Sequence, residues 1–176
     1  MIDASQHFGA QSFPVGNTSK RVFCAVVLDR SGSMDGPPID SLNSGLRAFA
    51  NALASDAVAQ ACVDVTLVSF ADDVRVDIPW SEADQWTPPS LIAGGGTNIG
   101  AGLKQALDLI DARCEAASAR KKSNYIPWLI VITDGEPDND NRALADAIAA
   151  ECKHRGDSRR LNCWAIGVEG ADFAWL

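Results

Sequence analysis

Four things are scarce in this sequence, and each scarcity removes a class of protein. Histidine occurs twice, at His7 and His154, far apart and at no metal-ligand spacing; both are read as surface residues, leaving no imidazole-rich metal or acid–base site. The five cysteines, Cys24, Cys62, Cys114, Cys152 and Cys163, are odd in number and form no CxxC pair. They are expected to be reduced packing cysteines in a cytoplasmic protein, not a disulfide framework. No apolar run approaches membrane-spanning length, and the opening MIDASQHFGAQSFPVGNTSK holds no apolar signal core. Basic charge is short as well: 15 Lys and Arg stand against 23 Asp and Glu, a net charge of −8. That balance argues against a binder of nucleic-acid backbone. The two basic clusters, Arg120-Lys121-Lys122 and Arg155 to Arg160, sit where helices should end, and cations are favoured at helix C-termini.

What is present is a chain of 176 residues with 47% hydrophobic content, enough for one domain with a sizeable core. Its central stretch is Val22 to Met34, VFCAVVLDRSGSM. The first seven residues read as a strand buried on both faces. The strand ends in Asp29-Arg30-Ser31-Gly32-Ser33, a polar turn with a carboxylate and two hydroxyls at alternate positions. Gly32 allows a sharp bend, after which positions 29, 31 and 33 can face one centre. Small oxygen ligands at a strand's carboxyl end suit a hard divalent cation, Mg²⁺ or Mn²⁺. The same residues also suit an ordinary strand-to-helix turn, with Asp29 or Ser33 as an N-cap. This segment by itself leaves the two readings level.

Two later segments separate them. Gly94-Gly95-Gly96-Thr97-Asn98-Ile99-Gly100 precedes a helical pattern, and Leu129 to Gly135, LIVITDG, is a second apolar strand ending in an acid and a glycine. A DxSxS turn, a Gly-Gly-Thr loop and a strand-terminal Thr-Asp-Gly, in that order, resemble the von Willebrand factor A family from about Arg21 to Leu176. In that family the three segments form a metal-ion-dependent adhesion site. The resemblance implies a metal site at Asp29, Ser31, Ser33, Thr97 and Asp134. Ser31 and Ser33 would bind directly, and Asp29 and Asp134 would hold coordinated waters. Thr97 would bind directly in an open, high-affinity state and through water in a closed one. The implied cofactor is Mg²⁺, with Mn²⁺ or Ca²⁺ as substitutes. DRSGSMDGPPIDSLNSGL, GGTNIGAGL and TDGEPDND are further similar to the intracellular bacterial branch typified by the TerY proteins of tellurium-resistance systems.

Taken in order, residues 1–20 are polar and aperiodic, a flexible lead-in or a short edge packing through Phe8 and Phe13. The domain is expected to span 21–176. Pro37-Pro38 opens a helix whose Ile39, Leu42, Leu46, Phe49 and Leu53 share one face, running to about Ala59. Val63 to Phe70 reads as a strand, and Val74 to Ile78 alternates apolar and charged residues, an antiparallel edge partner. Trp80, Trp86 and Pro88-Pro89 fall in the connection that follows, with the tryptophans covering the sheet edge or marking a contact surface. Ile99, Leu103, Leu107, Ile110 and Cys114 define a second helix. Ile126 to Thr133 is a strand, Leu144, Ala147, Ile148 and Cys152 mark a third helix, and Leu161 to Val168 is a fifth strand. The alternation implies an α/β fold: a doubly wound, Rossmann-like, mainly parallel sheet with one antiparallel edge strand and helices on both faces. Ligands of such sheets sit beyond the strands' carboxyl ends, where the three motif segments converge. The family adds a last strand and helix for which Glu169 to Leu176 is too short, so the fifth strand is expected to be a bare edge, open to self-association or a partner.

Asp35, Glu136, Asp138 and Asp140 crowd the same end and read as solvated turn acids or helix N-terminal charges. The glycine loop lacks both GxGxxG and Walker spacing, which disfavours a phosphate-binding role. Two function classes compete. A non-enzymatic binding module would present Mg²⁺ to an Asp or Glu of a protein partner, without nucleic acid or membrane. A metal-dependent hydrolase or phosphatase would need a nucleophile or base beside the metal. Serines stand where a phosphoaspartyl-type enzyme would carry a second carboxylate, and no histidine lies near the three segments. The expectation is a binding module and not an enzyme.

Overall fold

Strand β1 (Val22–Asp29) is the axis of the sheet, and its alternating side chains create two separate cores. The structure is a computed structural model that describes residues 19–135, 137–168 and 171, the side chain of Asn139 aside. The lead-in read over residues 1–20 therefore lies almost wholly outside the described residues. β1 runs parallel to β2 (Val63–Phe70) on one side and to β4 (Trp128–Thr133) on the other. β3 (Val74–Glu82) pairs antiparallel with β2, and β5 (Asn162–Gly167) pairs parallel with β4. The order is β3-β2-β1-β4-β5. This is the mainly parallel sheet with one antiparallel edge that the pattern of apolar runs implies.

Phe23, Ala25 and Val27 point into a core shared with helices α3 (Ile99–Ala119) and α4 (Arg142–Asp157). Cys24, Val26 and Leu28 point the other way, onto helix α1 (Pro37–Ser55) through Ile39, Leu42, Leu46 and Leu53. A strand with helices on both faces has no wet side, so it carries no polar alternation. Each such Val or Leu contributes about 1.5–3 kcal/mol on burial.

The structure departs from the sequence pattern at three places. The first helix stops at Ser55: Asp56 is extended (φ −102°, ψ 111°) and its carboxylate accepts from the Val58 and Ala59 N–H groups at 2.7 and 3.0 Å. Asp56 thus caps a separate short helix, α2 (Ala57–Cys62), because an Asp outcompetes helix continuation where it can satisfy new N–H groups. β3 extends to Glu82, so Trp80 belongs to the strand. Both tryptophans are buried, Trp80 edge-on to Phe23 at 5.8 Å and Trp86 edge-on to Phe49 at 5.4 Å, and neither is a contact surface. The inner face of α4 is Ala145, Ile148 and Cys152, while Leu144 and Ala147 are exposed. β5 matches the expected bare edge: Cys163, Trp164, Ala165 and Ile166 are exposed, and β4 is its one neighbour among the described residues.

A buried ion cluster locks the opposite end of the sheet. Asp64 in β2 is fully buried and pairs with Arg21 and, at 3.0 Å, with Nη2 of Arg113 from α3. The Arg113 guanidinium also lies over the rings of Phe23 and Trp80, 5.6 and 5.9 Å from their centroids. Removing Asp64 takes away the carboxylate that two buried guanidinium groups share. Asp64→Ala is therefore expected to cost about 3–5 kcal/mol in urea denaturation; a loss under about 1 kcal/mol would show that the cluster is not structural.

Candidate functional site

The polar crest forms because four chain segments meet beyond the carboxyl ends of β1, β2 and β4, and backbone hydrogen bonds hold them together. The Arg30 N–H donates to the Phe70 carbonyl at 2.9 Å, fastening the β1 turn to the end of β2. The Gly94 N–H donates to the Arg30 carbonyl and the Gly32 N–H to the Gly95 carbonyl, both at 2.8 Å. These two bonds lay the glycine loop along the serine turn. The Asn98 N–H reaches the Ala71 carbonyl at 3.1 Å, and the Asp138 N–H reaches the Thr97 carbonyl at 3.2 Å. Segments about 40 residues apart in sequence thus become one surface.

On this frame Asp29, Ser31, Ser33 and Asp134 are joined one to the next by hydrogen bonds. Asp29 is fully buried; its Oδ1 accepts from the Ser31 N–H at 2.8 Å and its Oδ2 from the Thr133 hydroxyl at 2.5 Å. The Ser31 and Ser33 hydroxyls lie 3.0 Å apart, and Ser33 Oγ donates to Asp134 Oδ1 at 2.9 Å. Ser31 is buried and Ser33 exposed, so the series runs from the interior to the surface. Thr97, also buried, enters by its backbone: its N–H donates to Asp138 Oδ2 at 2.7 Å, one link after the Gly32–Gly95 bond.

Electrostatically the crest is anionic and under strain at one point. Burial raises the Asp29 carboxyl above its usual range, and the negative charge of Asp134 adds to the effect; hydrogen bonds from Ser31 and Thr133 oppose it. The partners that hold Asp29 are an N–H and a hydroxyl, not a cation, so a bound cation would relieve the pair of carboxylates. Among the described residues no three His, Cys, Asp or Glu side chains gather as a metal cluster. The donor set is hydroxyl-rich with only two acids, which fits a hard cation that keeps several waters and does not fit a soft one.

Three residues at the crest carry roles that the sequence reading did not assign. Thr133 supplies the hydroxyl on Asp29, Asp72 accepts the Gly96 N–H at 2.8 Å, and Asp138 accepts that of Thr97. Asp72 reads as part of a tight turn and Asp138 as a solvated acid; both instead tie down the glycine loop. The available signal was positional, since Asp72 follows a parallel strand whose carboxyl end must lie on the same crest. Asp35 and Asp140 are exposed, as expected of turn acids, while Glu136 lies outside the described residues. Arg30, buried between the motif positions, pairs with Asp73 and reaches Ser69 Oγ at 3.3 Å, so it braces the turn against β2.

A mainly parallel sheet with helices on both faces and a polar crest at its strand ends defines a doubly wound α/β domain, a fold whose ligands sit at that crest. The von Willebrand factor type A domain model matches residues 24–136, more than half of the chain, and the protein belongs to that family. No curated protein matches the sequence. Among solved structures, the manganese-loaded TRAP protein of Plasmodium vivax is similar at 18% identity over 89% of this chain and 61% of its own, with a TM-score of 0.61. A conserved hypothetical protein BatB of Bacteroides thetaiotaomicron aligns at 20% identity over 83% of this chain and 66% of its own, TM-score 0.50. A D319A mutant of the PilB minor pilin of Streptococcus sanguinis aligns at 20% identity over 70% of this chain, TM-score 0.50. This chain spans 32% of that pilin. At such identities the likeness is one of fold.

The glycine loop leaves little room for side chains at Gly95 and Gly96. Gly95 has φ +87°, and a Cβ there would lie 2.4 Å from Asp72 Oδ2, the carboxylate that holds Gly96. Gly95→Ala is expected to lower stability by about 1–2 kcal/mol and to speed hydrogen exchange at the Gly96 and Thr97 amides. Unchanged exchange there would show that the loop is not held by Asp72.

Proposed function

We propose that this protein is a non-enzymatic interaction module that presents a divalent cation, Mg²⁺ with Mn²⁺ or Ca²⁺ as substitutes, to an acidic side chain of a protein partner. The observation that carries this reading is the hydrogen-bonded series Asp29–Ser31–Ser33–Asp134 at the crest, with the Thr97 loop bonded alongside. Ser31 and Ser33 are the direct ligands in this reading, Asp29 and Asp134 hold water molecules behind them, and Thr97 adds or withdraws a further oxygen. When bound, the cation supplies positive charge and an exchangeable position for an incoming carboxylate. Because the two acids of this chain stand off behind water, little of that charge is cancelled from within. Asp29 is poorly placed as a nucleophile, since both its oxygens accept hydrogen bonds in a buried position. The resemblance to the TerY branch supports a cytoplasmic role in a bacterial tellurium-resistance or stress-response system. β5 adds a second surface, an exposed sheet edge with which a partner strand or another copy can pair.

Two measurements test the metal assignment and its use. Asp29→Ala and Ser33→Ala are each expected to abolish Mg²⁺ binding in calorimetry, and wild-type affinity in either would sink the assignment. Thr97→Ala is expected to weaken partner capture more than metal binding, because Ser31 and Ser33 remain. Partner capture that survives EDTA undiminished would place the interface elsewhere. For the edge strand, concentration-dependent self-association is the expected result in sedimentation; a strict monomer with β5 fully protected from exchange would count against it.

A further inference from the structure

At the end of the sheet opposite the crest, the chain enters β4 through Tyr125, Ile126 and Pro127. The Tyr125 N–H donates to the Arg21 carbonyl at 2.8 Å, and the Asn162 N–H donates to the Pro127 carbonyl at 2.9 Å. This approach is thus fixed between the starts of β1 and β5. Four large apolar side chains reach solvent there: Tyr125, Ile126, Trp128 and Trp164 are 49%, 38%, 40% and 44% exposed. Trp128 and Trp164 meet edge to face, with ring centroids 4.8 Å apart. Tyr125, Ile126 and Trp128 line an open hollow of about 300 Å³, and the first two also line a second one of about 440 Å³. Large apolar side chains gathered in this way, and not scattered singly, mark an interaction surface.

The charge around these rings is the reverse of the chain's. The protein carries a net charge of −8, yet the larger hollow is lined by Arg155, Arg159 and Arg160 against one acid, Asp111. Arg155 is matched: its Nη1 and Nη2 donate to the two Asp111 oxygens at 2.7 and 3.0 Å, and its Nε to Glu151 at 2.6 Å. Arg159 and Arg160 have no carboxylate partner among the described residues; Arg160 Nε donates to the Ser158 hydroxyl at 3.1 Å. Lys20 adds a further cation, its Nζ 4.4 Å from the Tyr125 ring centroid.

We propose that this end of the domain is a second docking surface, for an acidic peptide segment of a protein partner. Its carboxylates pair with Arg159 and Arg160, and its apolar side chains cover Tyr125, Ile126 and the two tryptophans. Charge complementarity selects this occupant. Guanidinium groups take carboxylates bidentately, and Trp, Tyr and Arg are the side chains that carry most of the energy of protein interfaces. A nucleic-acid backbone or an anionic membrane presents a dense array of charge, for which a few cations on an acidic chain are too few. A peptide with two or so acids among apolar residues matches the surface in both number and kind. None of the crest residues takes part, so this surface stands or falls independently of the metal reading.

The test uses the 176-residue chain in EDTA, so that no cation at the crest can draw carboxylates there. The probe is a fluorescein-labelled peptide of alternating Glu and Phe, followed by fluorescence anisotropy. Binding is expected, and added salt should weaken it. Replacing the Glu residues of the probe by Lys, or its Phe residues by Ser, is expected to abolish binding. Two variants change exposed positions and should keep the wild-type urea midpoint. One combines Arg159→Gly, which suits the positive φ of +55° at that position, with Arg160→Gln. The other is Trp164→Thr, which retains strand propensity. Each is expected to weaken the Glu–Phe peptide at least about tenfold. No binding of that peptide, equal binding of the Lys peptide, or wild-type affinity in both variants would overturn the proposal. So would tighter binding to phosphatidylserine vesicles than to the peptide, or self-association in sedimentation that both variants abolish, since a membrane or a second copy would then be the occupant.

Discussion

The crest depends on one buried carboxylate. Asp29 sits at the end of the central strand with no exposure to solvent, and its two oxygens point to different segments. One oxygen fixes the Ser31 N–H and so bends the serine turn back over the strand end. The other takes the Thr133 hydroxyl and so joins the end of β1 to the end of β4, 104 residues later. A buried anion needs such partners, because an unsatisfied one would be costly. Its need for hydrogen bonds therefore sets the positions of the serine hydroxyls and of Asp134 together. The arrangement leaves the charge itself uncompensated by any cation among those partners, which is the condition under which a divalent ion gains most from binding nearby.

The glycine loop solves a different problem, that of bringing a threonine against a turn already crowded with backbone. Bonds from Gly32 to Gly95 and from Gly94 to Arg30 put main chain against main chain. A Cβ at Gly96 would meet Asp138 Oδ2 at 2.4 Å, and one at Gly95 would meet Asp72. The loop is thus gripped from two sides by carboxylates that bond its N–H groups, and those grips leave no volume for side chains. The same acids make the rim negative. In the proposed reading, an acidic partner would be repelled in the absence of a cation and admitted in its presence.

The two ends of the sheet are built by opposite means. At the carboxyl ends of the parallel strands, polar groups are assembled around incompletely neutralised charge. At the other end, Asp64 is matched by Arg21 and Arg113, and the latter stacks on aromatic rings. A matched cluster holds the fold and offers little to a ligand, whereas an unmatched one is available for chemistry.

The sequence by itself determined the strand order of function: apolar runs at Val22–Asp29 and Trp128–Thr133, the first ending in Asp29 and the second followed by Asp134, with a glycine-rich loop between them. Fully buried parallel strands must be continuously apolar, and their ends must turn abruptly, so both features are written in local composition. The helix faces of α1 and α3 were legible for the same reason, through their 3.6-residue period. What only the tertiary structure decided were matters of who meets whom. Asp56 ended a helix that the pattern continues, because its side chain found two N–H groups to cap. Asp72 and Asp138 became clamps for the glycine loop, and Thr133 the partner of Asp29, through contacts between segments far apart in sequence. Local sequence sets what each element is; contact, and with it charge balance and exposure, is set by how the elements are brought together.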